Sequence, residues 1–166
     1  MKIYVASSWR NKYQQSVVAF LRTEGFEVYD FKHPEEGNDF HWSEIDPDWQ
    51  NWTNEQYIAA LSHPVARAGF KSDFDAMKEA DAFVLVLPCG RSAHLELGWA
   101  VGKGKPTAIY CPEPTEPELM AKMVDIIAPS MQPISIWLMS LEANLLVSKA
   151  LAQAIYDIDN YADADD

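Results

Sequence analysis

The sequence contains few basic residues, and this shortage argues against partners that are recognised through their phosphates. Lys and Arg number 13 against 25 Asp and Glu, so the formal net charge of the 166-residue chain is −12 at pH 7. Long nucleic acids and anionic membranes bind clustered Lys and Arg. We therefore expect neither as a partner. A small anionic ligand stays possible, because a few backbone N–H groups can bind an anion whatever the net charge.

Cysteines and long apolar stretches are also scarce. The two cysteines, Cys89 and Cys111, are too few for a disulfide framework. Residues 1–5 lead directly into a strand pattern, without the apolar segment of a secretory leader. No apolar run approaches the roughly 20 residues that span a bilayer. These absences predict a cytoplasmic protein with reduced thiols and no membrane attachment.

Strand-like and helical patterns alternate along the chain, as in α/β proteins. The run at 82–87 is apolar without interruption, which is typical of a strand buried on both faces of a parallel sheet. We expect one domain over 1–160, with a doubly wound, flavodoxin-like or Rossmann-like fold: a mainly parallel five-stranded sheet with helices on both faces. Residues 161–166 form an acidic tail. The other predicted elements are strands at 2–6, 26–31, 107–111 and near Ile134, and helices from Tyr13 to Gly25, at 92–102 and at 138–157.

The stretch 32–64 interrupts this alternation. It is rich in tryptophan, histidine and proline, and a short helix is predicted at 54–62. Loops of this length in compact domains are usually lids, binding loops or assembly surfaces. The aromatic side chains of this insertion either pack it onto the domain or stack on a planar ligand. Its histidines and tryptophans are His33, His41, Trp42, Trp49, Trp52 and His63.

One carboxylate stands out where the predicted strand at 82–87 leads into the helix at 92–102. Gly90 and the first helical N–H groups form a site suited to an anion, with Ser92 as the predicted N-cap. Glu96 follows Ser92 by four residues, so both occupy one helix face at the carboxyl end of the sheet, where active sites of this fold lie. The helix is otherwise largely apolar. Glu96 is therefore either exposed to solvent or retained for chemistry.

Four short segments together resemble the nucleoside 2-deoxyribosyltransferase family and its 2′-deoxynucleoside 5′-phosphate N-hydrolase relatives. The first strand, Lys-Ile-Tyr-Val, contains Tyr4, and the segment Asp-Phe-Asp-Ala-Met begins with Asp73. Leu-Glu-Leu-Gly-Trp-Ala, which contains Glu96, is similar to a Glu-Leu-Gly-Tyr-Ala segment of the family. Glu118 and Met120 belong to a Glu-Leu-Met element that resembles the family's Asn-Leu-Met. The segments extend over most of the chain outside the insertion.

The resemblance implies an enzyme that cleaves or transfers the N-glycosidic bond of a nucleoside or nucleotide. We expect no cofactor, and no metal, because no second ligand pair at a recognised spacing accompanies His41, Glu44 and Asp46. Glu96 would be the nucleophile that captures C1′ of the sugar, and Tyr4 would hydrogen-bond its carboxylate. Asp73, or nearby Asp75, would meet the base and assist its protonation. The Glu-Leu-Met element would complete the site of a neighbouring subunit, which implies a homo-oligomer, a dimer or larger.

Two departures from the family pattern concern the 5′ end of the substrate. Gly90 stands where deoxyribosyltransferases carry an Asp that holds the sugar 5′-hydroxyl, and Glu118 replaces the Asn of the subunit-crossing element. Arg91 and Ser92 lie beside Gly90, and such residues favour a 5′-phosphate.

Three more side chains lie close to these segments in the sequence. Ser7 and Trp9 follow the first strand and are candidates for lining the substrate pocket. His94 is two residues from Glu96 and therefore points from a different helix face, so we expect it to pack or to cap.

Two other functions stay open. The first is an NAD glycohydrolase of the Toll/interleukin-receptor type, which also places a Glu near a ribosyl carbon. The second is a nucleotide-binding sensor or interaction protein without turnover, for which the tryptophan-rich insertion is the main support. A doubly wound sheet hosts many functions, so the fold does not separate these alternatives.

Overall fold

A five-stranded parallel sheet forms the centre of the molecule, in the order β2-β1-β3-β4-β5. The structure is a computed structural model that describes residues 1–34 and 39–162, with side chains to residue 157. Helices connect the strands, so the predicted doubly wound α/β fold is confirmed. The strands are β1 (Lys2–Ala6), β2 (Glu27–Tyr29), β3 (Ala82–Val86), β4 (Thr107–Tyr110) and β5 (Ile126–Ala128).

Within residues 1–34 and 39–162, five helices surround the sheet, and short 3₁₀ helices lie in the loops. The helices are α1 (Gln14–Thr23), α2 (Asn54–Ala60), α3 (Pro64–Glu79), α4 (Arg91–Gly102) and α5 (Met131–Ala162). The 3₁₀ turns are Trp42–Glu44, Trp49–Asn51 and Leu119–Met123.

The two faces of the sheet carry separate apolar cores. Successive residues of a strand point to opposite faces, so Ile3 and Val5 pack with Leu21 of α1 and Leu138 of α5. Tyr4 points the other way, into the core formed with α3 and α4. The face that carries Tyr4 is the one on which the candidate site is built.

The fifth strand is not where the sequence predicts it. It lies at Ile126–Ala128, whereas Ile134 is buried within α5. A strand of three residues carries little pattern, while the apolar residues at the start of α5 give a stronger signal that a strand and a buried helix share. The Asp125 side chain fixes β5 beside β4 by accepting a hydrogen bond from the Thr107 backbone N–H at 2.8 Å.

The start of α4 also differs from the prediction by a small step. Gly90, in extended backbone geometry, is the N-cap residue, and no side chain caps the helix there. Ser92 consequently lies inside the first turn rather than at the cap.

In α1 the capping side chain is Asn11, whose Oδ1 accepts hydrogen bonds from the N–H groups of Tyr13 and Gln14. That helix ends before Gly25, whose φ of 94° belongs to the left-handed region that glycine favours.

The insertion packs its aromatic side chains against one another and against α3. Trp42 meets Phe40, Trp52 and Tyr57 edge to face, with ring centroids 4.8, 5.6 and 6.0 Å away. Phe40 lies so close to Gly69 of α3 that a Cβ at that position would be 2.7 Å from the Phe40 Cβ. The predicted helix at 54–62 is present as α2, and residues 35–38 of the insertion lie outside the described part of the chain.

Helix α5 extends beyond the domain core. Its first turns pack on the sheet through Ile134 and Leu138, whereas the large apolar side chains from Leu145 to Ile155 are exposed. Residues Met131–Asp157 have the length and the mean hydropathy, 1.3, of a membrane-crossing helix, and 17% of that window is buried. Inspection of the sequence for an uninterrupted apolar run misses this segment because Glu142 and Lys149 lie within it. Of the predicted acidic tail, residues 163–166 lie outside the described part of the chain.

Candidate active site

Three of the predicted site residues converge from three different elements. Tyr4 comes from β1, Asp73 from α3 and Glu96 from α4, and their charges and hydroxyls interact with one another. Tyr29 of β2 joins them through a hydrogen bond to Asp73. The resulting group of side chains lies on the α3–α4 face of the sheet, among the apolar residues of that core.

Aromatic stacking fixes Tyr4 in the wall of this site. Its ring lies between Tyr29, at 5.3 Å and 14°, and Phe83, at 5.0 Å and 28°. The residue is 1% exposed. Burial, followed by the nearby Glu96 carboxyl, raises the pKa of the Tyr4 phenol well above its usual value. Tyr4 therefore stays protonated and available as a hydrogen-bond donor.

Glu96 is a partly buried carboxyl whose proton is unusually hard to remove. Burial is the main cause and the charge of Asp73 the second, and together they raise the pKa of Glu96 to about 8. Hydrogen bonding from Tyr4 acts in the opposite direction, because it stabilises the carboxylate. A solvated helix carboxylate would show none of these effects.

Asp73 is held by the hydroxyl of Tyr29. The Tyr29 Oη donates to Asp73 Oδ1 at 2.9 Å, and Ser72 Oγ lies 3.2 Å from the same phenolic oxygen. Burial raises the pKa of Asp73, and the hydrogen bond from Tyr29 lowers it in part. Asp73 and Glu96 thus form a partly buried carboxyl pair that retains protons more strongly than exposed carboxyls do.

Asp75, the alternative to Asp73, does not join the site. Its carboxylate pairs with Lys71 and Lys78 on the exposed side of α3, each at 2.5 Å. Hydrogen bonds from these two lysines lower the pKa of Asp75 to about 2. Two residues along a helix correspond to a rotation of about 200°, which places Asp75 opposite Asp73.

The turn between β3 and α4 has an exposed part, at Gly90 to Ser92, and a part held by contacts of His94 and Cys89. Gly90, Arg91 and Ser92 are exposed at the start of α4. His94 Nδ1 lies 3.0 Å from the Gly90 carbonyl oxygen and 3.5 Å from Cys89 Sγ, so His94 supports the turn. Burial, with the Glu96 carboxyl second, raises the pKa of the Cys89 thiol to about 12, which leaves it protonated and a poor nucleophile.

Ser7 and Asn11 attach the loop after β1 to the carboxyl end of β3. Ser7 Oγ donates to the Val86 carbonyl at 2.9 Å. Asn11 Nδ2 donates to the carbonyls of Val86, at 3.1 Å, and Pro88, at 2.8 Å. The contact of Asn11 with β3 follows from the strand order, which puts β1 beside β3. These bonds set the spacing of the two loops at the rim of the site.

Trp9 lies farther along the same loop and meets the insertion. It is 39% exposed. The His41 ring lies 4.2 Å from it, and Phe31 contacts it edge to face at 5.5 Å. Trp9 is therefore available to a ligand only where His41 leaves its ring uncovered.

Glu118 and Met120 lie on the other flank of α4 from Glu96. They line a cavity of about 550 Å³ together with His94, Gly98 and Val101. On a helix these three positions are roughly 140° to 200° away from Glu96. Within one chain the Glu-Leu-Met element therefore does not face the buried carboxyl pair.

Metal chemistry has no evident ligand set in the described part of the chain. No group of three or more His, Cys, Asp or Glu side chains in residues 1–34 and 39–157 could hold a metal ion.

Comparison with known proteins yields structural neighbours only. No protein-family profile matches the chain, and no curated protein matches its sequence. A 2-deoxyribosyltransferase from Bacillus psychrosaccharolyticus superposes with a TM-score of 0.53 and 20% identity, over 81% of this chain and 90% of that chain. A CMP N-glycosidase from Clostridium botulinum gives 0.47 and 19%, over 83% of this chain and 98% of that chain. The chain therefore has the fold of a 2-deoxyribosyltransferase, the family that its sequence motifs resemble.

Proposed function

We propose that this protein cleaves or transfers the N-glycosidic bond of a nucleoside or nucleotide through a covalent glycosyl-enzyme intermediate on Glu96. The observation that supports this most directly is the meeting of the buried Tyr4 with the partly buried carboxyls of Asp73 and Glu96. A carboxyl pair kept out of water is costly to a fold and typical of a catalytic site. The fold shared with a 2-deoxyribosyltransferase agrees with this proposal.

The first half of the reaction uses both carboxyls. The Glu96 carboxylate attacks C1′ while the bond from C1′ to the base nitrogen breaks, and the bonding electrons leave with the base. Asp73 gives its proton to the departing base, which leaves as a neutral molecule. On this proposal Tyr4, whose interaction with Glu96 lowers the pKa of that carboxyl, hydrogen-bonds the carboxylate and orients it towards the sugar.

The second half releases the sugar. Water attacks C1′, its proton passes to Asp73, and Glu96 leaves as a carboxylate, which makes the enzyme a hydrolase. A second base attacking the same carbon makes it a transferase. In the substrate-free protein Glu96, with its pKa raised to about 8, holds a proton at neutral pH. We propose that in the substrate complex Glu96 is ionised and Asp73 carries the proton.

The 5′ end of the substrate lies, on this proposal, at the start of α4. Gly90, Arg91 and Ser92 are exposed there, beside unpaired helical N–H groups. An arginine and N–H donors suit a phosphate better than a hydroxyl. We therefore favour a nucleoside 5′-phosphate over a nucleoside.

The assembly and the compartment are also proposals. Met120 and Glu118 are exposed and face away from Glu96 in their own chain, which suits a contribution to the site of a second copy in a homo-oligomer. The two cysteines are free, as expected of a cytoplasmic protein. The first turns of α5 are packed on the sheet, so the part of α5 that is still exposed is too short to cross a membrane. We therefore propose that this exposed part contacts another chain.

One incubation panel tests the proposed activity. The protein is mixed with deoxynucleosides, deoxynucleotides and NAD, with and without an acceptor base, and free base is followed by chromatography. Glu96→Gln is expected to lower base release by at least about 10³-fold. Asp73→Asn is expected to lower it by about 10²- to 10⁴-fold. Asp75→Asn, on the opposite side of the same helix, is the matched control and should keep the wild-type rate.

Each outcome of the panel identifies one function. Base released without an acceptor indicates a hydrolase, and exchange that needs an acceptor indicates a transferase. Release from NAD alone would favour the glycohydrolase alternative. Silence across the panel would overturn the enzyme proposal and leave a binding protein, for which the Trp9 and His41 surface is the best supported feature.

A further inference from the structure

Tyr29 carries a partly buried hydroxyl that has no role in the reaction proposed above. It lies at the end of β2, stacked on Tyr4, and its Oη is 2.9 Å from Asp73 Oδ1. Ser72 Oγ, 3.2 Å away, is the second partner of the phenol. Tyr29 therefore contacts the catalytic carboxyl from the side that faces the sheet edge, and its ring also contacts Tyr4.

The direction of this hydrogen bond constrains Asp73. Burial raises the pKa of Tyr29 well above its usual value, so the phenol keeps its proton under ordinary conditions. A phenol that donates to Oδ1 makes that oxygen an acceptor. When Asp73 is protonated, its proton is consequently placed on the other oxygen, Oδ2.

We infer that Tyr29 is a positioning residue that keeps Oδ1 of Asp73 occupied, so that Oδ2 carries the proton delivered to the leaving base. This inference rests on the proposed function and adds the residue that orients its general acid. Without Tyr29, either oxygen could hold the proton and the carboxyl could rotate away from the base. Tyr29 acts through Asp73 and need not touch the substrate.

Titratable groups lie on every element packed around the pair of Asp73 and Glu96, and among them Tyr29 is the one whose hydrogen bond shifts the pKa of Asp73. On α3 itself Lys71, Asp75 and Lys78 are engaged with one another on the exposed side. The titratable groups on the neighbouring elements are Tyr4 from β1, Tyr29 from β2, Glu96 from α4 and Cys89 from the turn before α4.

Removal of the Tyr29 hydroxyl has a predictable sign. Its hydrogen bond stabilises the Asp73 carboxylate and thereby lowers the pKa of Asp73. Tyr29→Phe should therefore raise the pKa of Asp73, and the alkaline limb of the kcat/KM profile should move upward by about one pH unit. At the same time kcat should fall roughly 10- to 100-fold, because the acid is no longer oriented.

The test measures pH profiles of base release for the wild-type protein, Tyr29→Phe and the control Tyr13→Phe. Tyr13 is suited to this purpose because its hydroxyl also bonds a carboxyl, that of Glu113, but on the surface. Phe at position 29 keeps the ring that stacks on Tyr4. The loss in kcat should also be larger for bases that leave poorly, since these depend most on the proton.

A titration of the carboxyl carbons by ¹³C NMR in the substrate-free proteins separates this inference from the proposed function. A higher Asp73 pKa in Tyr29→Phe than in wild type supports the contact even if no substrate turns over. An Asp73 pKa that is the same in Tyr29→Phe and in wild type overturns the inference, whether or not the enzyme is active. In an active enzyme, an alkaline limb of the kcat/KM profile that is at the same pH in wild type, Tyr29→Phe and Tyr13→Phe also overturns it.

Discussion

Glu96 is held in a place that costs the fold stability. Its pKa near 8 in the folded protein lies well above the usual value of about 4.5 expected in the unfolded chain. Between these two pH values the folded state binds more protons than the unfolded state, so the free energy of unfolding falls as the pH rises. The cost of the buried carboxyl is small at pH 4 and complete above about pH 8.

A neutral side chain at position 96 should therefore stabilise the protein most in alkaline solution. We expect Glu96→Gln to raise the free energy of unfolding relative to wild type by an amount that grows from pH 5 to pH 9. At pH 9 the gain should reach a few kcal/mol, on the order of 1.4 kcal/mol for each unit of pKa shift after discounting for relaxation. Urea unfolding at the two pH values measures it.

Glu118→Gln is the matched control for that experiment, since Glu118 is exposed. A gain for Glu96→Gln that is equal at both pH values, or equal to that of Glu118→Gln, would show that the Glu96 carboxyl is not buried as described.

Sequence patterns reached some of these residues and missed others for a physical reason. Tyr4, Asp73 and Glu96 could be named because short motifs carry them. Asp75 could not be separated from Asp73 without knowing that both lie on a helix, where two residues differ by about 200°. Tyr29 has no motif at all, because its role depends on β2 lying beside β1 in the sheet.

At the scale of secondary structure, the strongest apolar signals predicted the right elements. The buried strand β3 and the helix α4 that follows it were predicted within one residue at each end. Helix α3 was not predicted, because its exposed Phe70 and its buried Gly69 obscure the expected apolar stripe. That stripe becomes clear only once the insertion is seen to pack on Gly69.

The contact between Gly69 and Phe40 attaches the insertion to α3 and can be broken by one methyl group. A Cβ at position 69 would lie 2.7 Å from Phe40 Cβ, an atom close to the backbone that cannot move aside easily. We expect Gly69→Ala to lower stability by about 1–3 kcal/mol, in spite of the better helix propensity of alanine. Thermal unfolding and limited proteolysis of the insertion measure the effect.

Gly98 in α4 provides the control, since nothing lies within 4 Å of a Cβ added there. Gly98→Ala should raise stability by up to about 1 kcal/mol through helix propensity alone. If Gly69→Ala were also stabilising, the insertion would not be packed on α3 in the way described.

For the whole molecule, charge and apolar surface are unevenly distributed. The chain carries a net charge of −12. Residues 143–157 of α5 include Lys149 and Asp157 as the only charged side chains, and therefore sum to zero. Leu146, Val147 and Leu151 in that stretch are each more than 60% exposed. Two copies repel each other least where their α5 helices meet.

We therefore predict that Val147→Glu with Leu151→Glu weakens self-association. The wild-type protein should have a mass in solution that is a multiple of the 18.8 kDa chain, and the double variant should shift towards the single chain. Added salt should strengthen association of the wild type, because it screens the net negative charge. Sedimentation velocity measures both effects.

Ser148→Glu, Gln153→Glu is the matched control, since it adds the same charge to polar positions of the same helix. A wild-type mass of 18.8 kDa at all salt concentrations, or equal dissociation in both variants, would show that α5 is not the interface.

The place of the insertion in the strand order has a consequence for chain entropy. Tyr4 pairs with Phe83 in the register of β1 and β3, so residues 32–64 lie entirely inside the loop that this pairing closes. The entropy of closing a loop grows only with the logarithm of its length, about 0.6 kcal/mol for each doubling. Residues added to this loop therefore lower the free energy of unfolding very little, provided that their side chains pack against one another, as those around Trp42 do. The connection between the second and third strands can therefore change length while the group of Tyr4, Asp73 and Glu96 stays intact.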